Sequence, residues 1–67
     1  MPTAYTTLGI SPNATDDEVK KAYHRMAMEY HPDKQVNASE QEKQAAAEKF
    51  RAANKAYEYI KQQRNIK

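Results

Sequence analysis

The sequence predicts an all-α fold in which a short first helix precedes an antiparallel hairpin of two longer helices. Three observations predict it. Two Ser/Thr-x-x-Glu patterns each open a segment whose apolar residues step by three and four, and a Tyr-His-Pro break separates the two segments. With one glycine and three prolines in 67 residues, little else interrupts the helical periodicity.

Taken in order, Thr3 is placed to cap a brief helix over about residues 4–8, and Gly9 is its natural stop. Ile10 then packs, and Ser11-Pro12-Asn13-Ala14 reads as a turn. Thr15-Asp16-Asp17-Glu18 has the form of a capping box, in which the Thr hydroxyl and the Glu carboxylate each satisfy a free backbone N–H. Its acids also suit the positive end of the helix dipole. The second helix is expected over about 16–30, with Val19, Ala22, Tyr23, Met26, Ala27 and Tyr30 as one apolar stripe. Pro32 lacks an N–H and biases His31 out of the helical region, so the helix stops there. A polar loop over 31–39 follows. Ser39-Glu40-Gln41-Glu42 repeats the capping pattern and opens a third helix over about 40–63. Its stripe of Ala46, Phe50, Ala53, Tyr57 and Ile60 steps by four, three, four and three, which suits a long antiparallel neighbour crossing at about 20°. Leu8 and Ile10 are expected to cover one end of the hairpin.

A chain this short forms one domain with a compact core, and its stability is expected to be about 3–10 kcal/mol. Such a core leaves little room for an enclosed substrate cavity. The sequence has no cysteine, hence neither a disulfide framework nor a thiolate metal site. His24 and His31 are seven residues apart and lack acidic co-ligands at metal-site spacing; no metal or other cofactor is expected. His31 and Asp33 have no accompanying nucleophile, so catalysis by this chain is not expected. No apolar run is long enough to span a bilayer, and no signal peptide is visible. Eleven basic and nine acidic residues leave a net charge of +2, too even a balance to demand nucleic acid. The cations do concentrate late: from Lys49 onward there are six, against the single acid Glu58. The plain reading is a solvated helix end whose charges suit the dipole. The alternative is a basic helical module that binds nucleic acid through Lys49, Arg51, Lys55, Lys61 and Arg64, although Glu48 and Glu58 interrupt that row and no short turn joins a recognition helix.

The stripe aromatics Tyr23, Tyr30, Phe50 and Tyr57 read as core, since a tyrosine can bury its ring and keep its hydroxyl wet. Met28 lies off the stripe, and both a bland exposed side chain and a partner contact fit it.

His31-Pro32-Asp33 alone is only a tripeptide. Its context is more specific. Leu8-Gly9-Ile10 precedes a capped helix containing Val19-Lys20-Lys21-Ala22-Tyr23-His24-Arg25-Met26-Ala27. Tyr30-His31-Pro32-Asp33-Lys34 follows, then Ala47-Glu48-Lys49-Phe50 and Asn54-Lys55-Ala56-Tyr57-Glu58-Tyr59-Ile60. In this order the chain resembles the J domain of the DnaJ co-chaperone family over about residues 5–60. The resemblance implies the J-domain fold and a function: binding the ATP-bound state of a DnaK-type chaperone and accelerating its ATP hydrolysis in support of protein folding. It implies contact through His31, Pro32 and Asp33, through Lys20, Lys21, Tyr23, His24 and Arg25 on the second helix, and through Lys34 just beyond, with Met28 a further candidate. It implies a monomer that binds no nucleotide, no nucleic acid and, in this segment, no membrane.

Two positions soften the basic face, because His24 and Glu29 stand where the family commonly has a cation. The ending also departs from many J domains, which add a short fourth helix. Here Lys61-Gln62-Gln63-Arg64-Asn65-Ile66-Lys67 has no proline or glycine, so an extended third helix and no ordered fourth are expected. The stretch Ala56–Gln63 is similar to the C-terminal J domain of membrane-anchored DnaJ-like bacterial proteins. That similarity implies a cytoplasmic module tethered to the inner face of a membrane by a segment outside this chain.

Overall fold

Each helix boundary has a local cause. The computed structural model describes residues 3–66. Helix α1 spans Ala4–Leu8, α2 spans Asp16–Tyr30, a single 3₁₀ turn covers Pro32–Lys34, and α3 spans Glu40–Arg64. Among the described residues there is no strand. The Thr3 hydroxyl accepts the Thr6 N–H at 3.1 Å and starts α1. Gly9 ends it in the left-handed region at φ 71°, while the Gly9 and Ile10 N–H groups close on the Thr6 and Tyr5 carbonyls. This is the Schellman pattern, and at that φ a Cβ is strained even where space is open.

The Thr15 capping box is complete: the Glu18 N–H donates to the Thr15 hydroxyl at 3.1 Å and the Thr15 N–H donates to Glu18 Oε1 at 3.0 Å. The expected second box is only half formed. The Ser39 hydroxyl accepts from the Glu42 N–H at 3.2 Å, but the Glu42 carboxylate accepts from the Ser39 hydroxyl rather than from its backbone N–H. The far end of α3 carries a stop that glycine and proline counting does not show. Asn65 takes the left-handed conformation at φ 61°, and the Ile66 N–H reaches the Lys61 carbonyl at 2.9 Å. Asn tolerates this conformation better than most residues, so it closes the helix as Gly9 does. No further helix follows among the described residues.

Cross-contacts show the antiparallel register. Asp16 meets Arg64, Tyr23 meets Asn54 and Tyr57, Tyr30 meets Lys49, and His31 meets Phe50. The core gathers Leu8, Ala14, Val19, Ala22, Ala53, Ala56 and Ile60, with Val19 and Ile60 fully buried. Both expected stripes contribute to it. Ala14, in the turn, and Ala56, off the α3 stripe, are additions. Alanines facing one another let two helices approach closely, at the cost of burying little apolar area per residue.

A clamp ties the far end together. Arg64 donates to Asp16 Oδ1 at 2.8 Å, to the Tyr5 hydroxyl at 3.2 Å and to the Pro12 carbonyl at 3.2 Å, and it lies over the Tyr5 ring. The Asp16 carboxylate, and after it the Tyr5 hydroxyl, hold its guanidinium further into the protonated range than usual. The last turn of α3 is thereby fastened to α1, the first turn and the start of α2.

Candidate partner-binding site

At the opposite end, the proline break shapes a small rigid turn. His31 is extended at φ −61° and ψ 141°, as expected for a residue before proline. The Lys34 N–H returns to the His31 carbonyl at 2.8 Å and the Gln35 N–H to the Pro32 carbonyl at 3.0 Å. Within this turn His31 Nδ1 accepts the Asp33 N–H at 3.2 Å. The imidazole edge meets the Phe50 ring at 5.7 Å and 87°. The Gln35 side-chain amide donates to the Glu29 carbonyl at 3.1 Å and pins the loop to the last turn of α2.

The Asp33 carboxylate is held outward by this frame. Its side chain is 91% exposed, and its nearer oxygen stands 3.7 Å from His31 Nδ1, too far for a hydrogen bond. Among the described residues no donor is bonded to it. It is a charged acceptor at a fixed position, free to receive a guanidinium through two parallel hydrogen bonds.

Lys20, Lys21, His24, Arg25 and Lys34 are all exposed. The four on α2 form two neighbouring rows at four-residue spacing. Tyr23 is placed differently. It is half-buried, its hydroxyl donates to Asn54 Oδ1, and its ring stacks on Tyr57 at 4.2 Å and 7°. It joins α2 to α3 beneath the cationic rows. Met28 is 65% exposed and, with Ala27 and Phe50, lines a hollow of about 260 Å³ that also borders on His31, Asp33 and Lys34.

Two features escape the sequence reading. Phe50, read as core, is only half-buried and serves both as the support of His31 and as a wall of this hollow. On the other side of the loop Val36, 71% exposed, joins Tyr30, Pro32 and Ala47 around a groove of about 420 Å³. The signal for Val36 was a lone aliphatic in a polar loop. The late cationic row is also weaker than its composition suggests. Lys49 lies over Tyr30, Lys61 is near Glu58 and Arg64 is held in its clamp. Among the described residues no cluster of His, Cys, Asp and Glu could hold a metal ion, and no helix is long and apolar enough to cross a membrane.

Fold and site together define a small helical domain that presents an outward carboxylate on a braced turn beside a basic helix face. The chain matches the DnaJ domain family over residues 3–67 and belongs to that family. It is 48% identical over 56 residues to the chaperone protein DnaJ of Fusobacterium nucleatum subsp. polymorphum, covering 84% of this chain and 14% of that protein. It is 52% identical over 56 residues to the chaperone protein DnaJ of Prosthecochloris aestuarii, covering 84% of this chain and 13% of that protein. It is 45% identical over 56 residues to the adaptation to cold protein J of Shewanella oneidensis, covering 84% of this chain and 60% of that protein. The chain thus spans about one seventh of the length of the DnaJ relatives it matches. No solved structure gives a significant match.

Proposed function

We propose that this domain binds the ATP-bound state of a DnaK-type chaperone through His31, Pro32, Asp33 and the exposed face of α2, and accelerates ATP hydrolysis by that partner. The observation that carries the proposal is the Asp33 carboxylate, outward, accepting no hydrogen bond among the described residues and set on a turn that His31 caps. A group already in its docking geometry loses little freedom on binding, so more of its interaction energy appears as affinity. Lys20, Lys21 and Arg25 supply a positive strip, with His24 beside it, that steers an acidic surface toward the carboxylate, and Lys34 stands at the loop. Met28 and Phe50 offer the apolar contact between them. In this reading the domain acts as a monomer in the cytoplasm, uses no cofactor and makes no contact of its own with nucleic acid or membrane.

The test is single-turnover ATP hydrolysis by the cognate chaperone. Asp33→Asn keeps the size of the side chain and removes its charge. Losing one partner of a docked charge pair costs about 2–5 kcal/mol, so stimulation at subsaturating domain is expected to fall roughly 30-fold or more while the melting temperature stays put. Retained stimulation refutes the assignment of Asp33. Replacing Lys21 and Arg25 together with Glu is expected to weaken binding most at low salt, because exposed charges are screened as ionic strength rises. A loss that does not vary with salt argues against steering.

A further inference from the structure

We propose that Met28 is a site of reversible oxidation that switches this domain off: a hydroperoxide converts its thioether to the sulfoxide and spoils the apolar contact beside Asp33. The inference rests on the docking reading above.

Two described methionines stand two residues apart on α2, in opposite environments. Met28 is 65% exposed, and Met26 is half-buried against the core of Leu8, Val19 and Ile60. A thioether must meet the oxidant directly, so exposure sets the order of reaction. Met28 is the reactive sulfur and Met26 is its internal control. In the reaction the sulfur lone pair attacks one peroxide oxygen. The S–O bond forms as the O–O bond breaks, and the departing oxygen leaves with the peroxide's proton as alcohol or water. The sulfur loses two electrons and the peroxide gains them. The product is polar and chiral, and sulfoxide reductases reverse it.

Location turns this chemistry into a switch. Met28 and Phe50 line the same hollow, which borders on Asp33 and Lys34. A flexible apolar side chain suits a contact that must adapt to a partner surface, and a sulfoxide placed there must be desolvated. Because Met28 lies off the buried stripe, its oxidation leaves the core of the hairpin untouched. The domain therefore stays folded while its docking face loses function.

The experiment treats the intact chain with graded hydrogen peroxide. Peptide mass mapping then locates each added oxygen, Met1 included, and chaperone ATPase stimulation is measured before oxidation, after it, and after treatment with both sulfoxide reductases. The expected result is oxygen at Met28 well before Met26, with stimulation at subsaturating domain falling roughly five- to tenfold in step with Met28 conversion, the range of an interface contact of moderate strength. Reductase treatment is expected to restore it. A Met28→Leu chain, whatever its starting level, is expected to give the same stimulation with and without peroxide. Equal oxidation of Met26 and Met28, unchanged stimulation after complete conversion of Met28, or a peroxide-sensitive Met28→Leu chain overturns the proposal. Failure of the unoxidised chain to stimulate overturns the docking reading itself, and with it this consequence.

Discussion

The two ends of the hairpin are built by different means. At the end where α1 packs, Val19 and Ile60 are fully buried, Leu8 and Ala56 close around them, and Arg64 fastens three segments at once. At the loop end Tyr30 and Phe50 are half-buried, Ala46 is buried but stands apart from the main cluster, and residues from His31 to Lys34 are exposed. Local hydrogen bonds, an edge-to-face ring pair and one proline hold that end. The difference teaches that stability and the candidate site occupy separate places. A chain with so small a core keeps its apolar area together at one end and shapes the other with backbone geometry.

The comparison breaks most plainly at Ile60. Truncation of a fully buried Ile to Ala costs about 2–5 kcal/mol, comparable with the whole stability of a domain this size. Ile60→Ala is therefore expected to unfold much of the population at 37 °C by circular dichroism, whereas Asp33→Asn at the loop end leaves the spectrum and melting temperature unchanged. A stable Ile60→Ala chain would show that the packed end does not carry the fold.

A smaller contrast lies in the caps. Thr15→Ala removes the hydroxyl half of a complete box, leaving the backbone N–H to Glu18, and is expected to cost about 1–2 kcal/mol in chemical denaturation. Ser39→Ala removes one backbone cap bond together with an exposed hydroxyl–carboxylate bond and is expected to cost less, about 0.5–1 kcal/mol. Equal costs would mean that the incomplete box at the loop end matters as much as the complete one.

The smallest expected effect is a pH dependence confined to the packed end. The backbone N–H and hydroxyl of Thr15 hold the Glu18 carboxyl below its usual range. The folded state thus binds that proton less readily than the unfolded state. Its contribution is present above the ordinary carboxylate range and is lost as pH falls through the lowered value. Melting temperatures of the native chain and Glu18→Gln should differ at neutral pH and converge in acid. A constant difference across that window would exclude the charged cap.

Much of this was legible in the residues themselves. Capping patterns, stripes and the Tyr30-His31-Pro32 break are local signals, governed by interactions within one or two turns, and the three helices begin where those signals stand. The loop motif was legible for the same reason. Asn65 was legible in principle, since its left-handed tolerance is a property of the residue, but counting only glycine and proline passes over it. The roles of Phe50 and Tyr23 were not legible. Periodicity says that a side chain lies on the inward face, but not whether its neighbour there is core or a histidine of the loop.

By itself, then, the sequence determined the helices, the break and the cations available to a partner, because each depends on backbone preferences and side chains close along the chain. Only the tertiary structure decided which of those groups are free. Packing α3 against α1 and α2 brought Arg64 to Asp16, Lys49 to Tyr30 and Phe50 to His31, and left Asp33 and Met28 facing water. Pairings across tens of residues depend on how the helices come together in space, and no local rule of the chain contains that information.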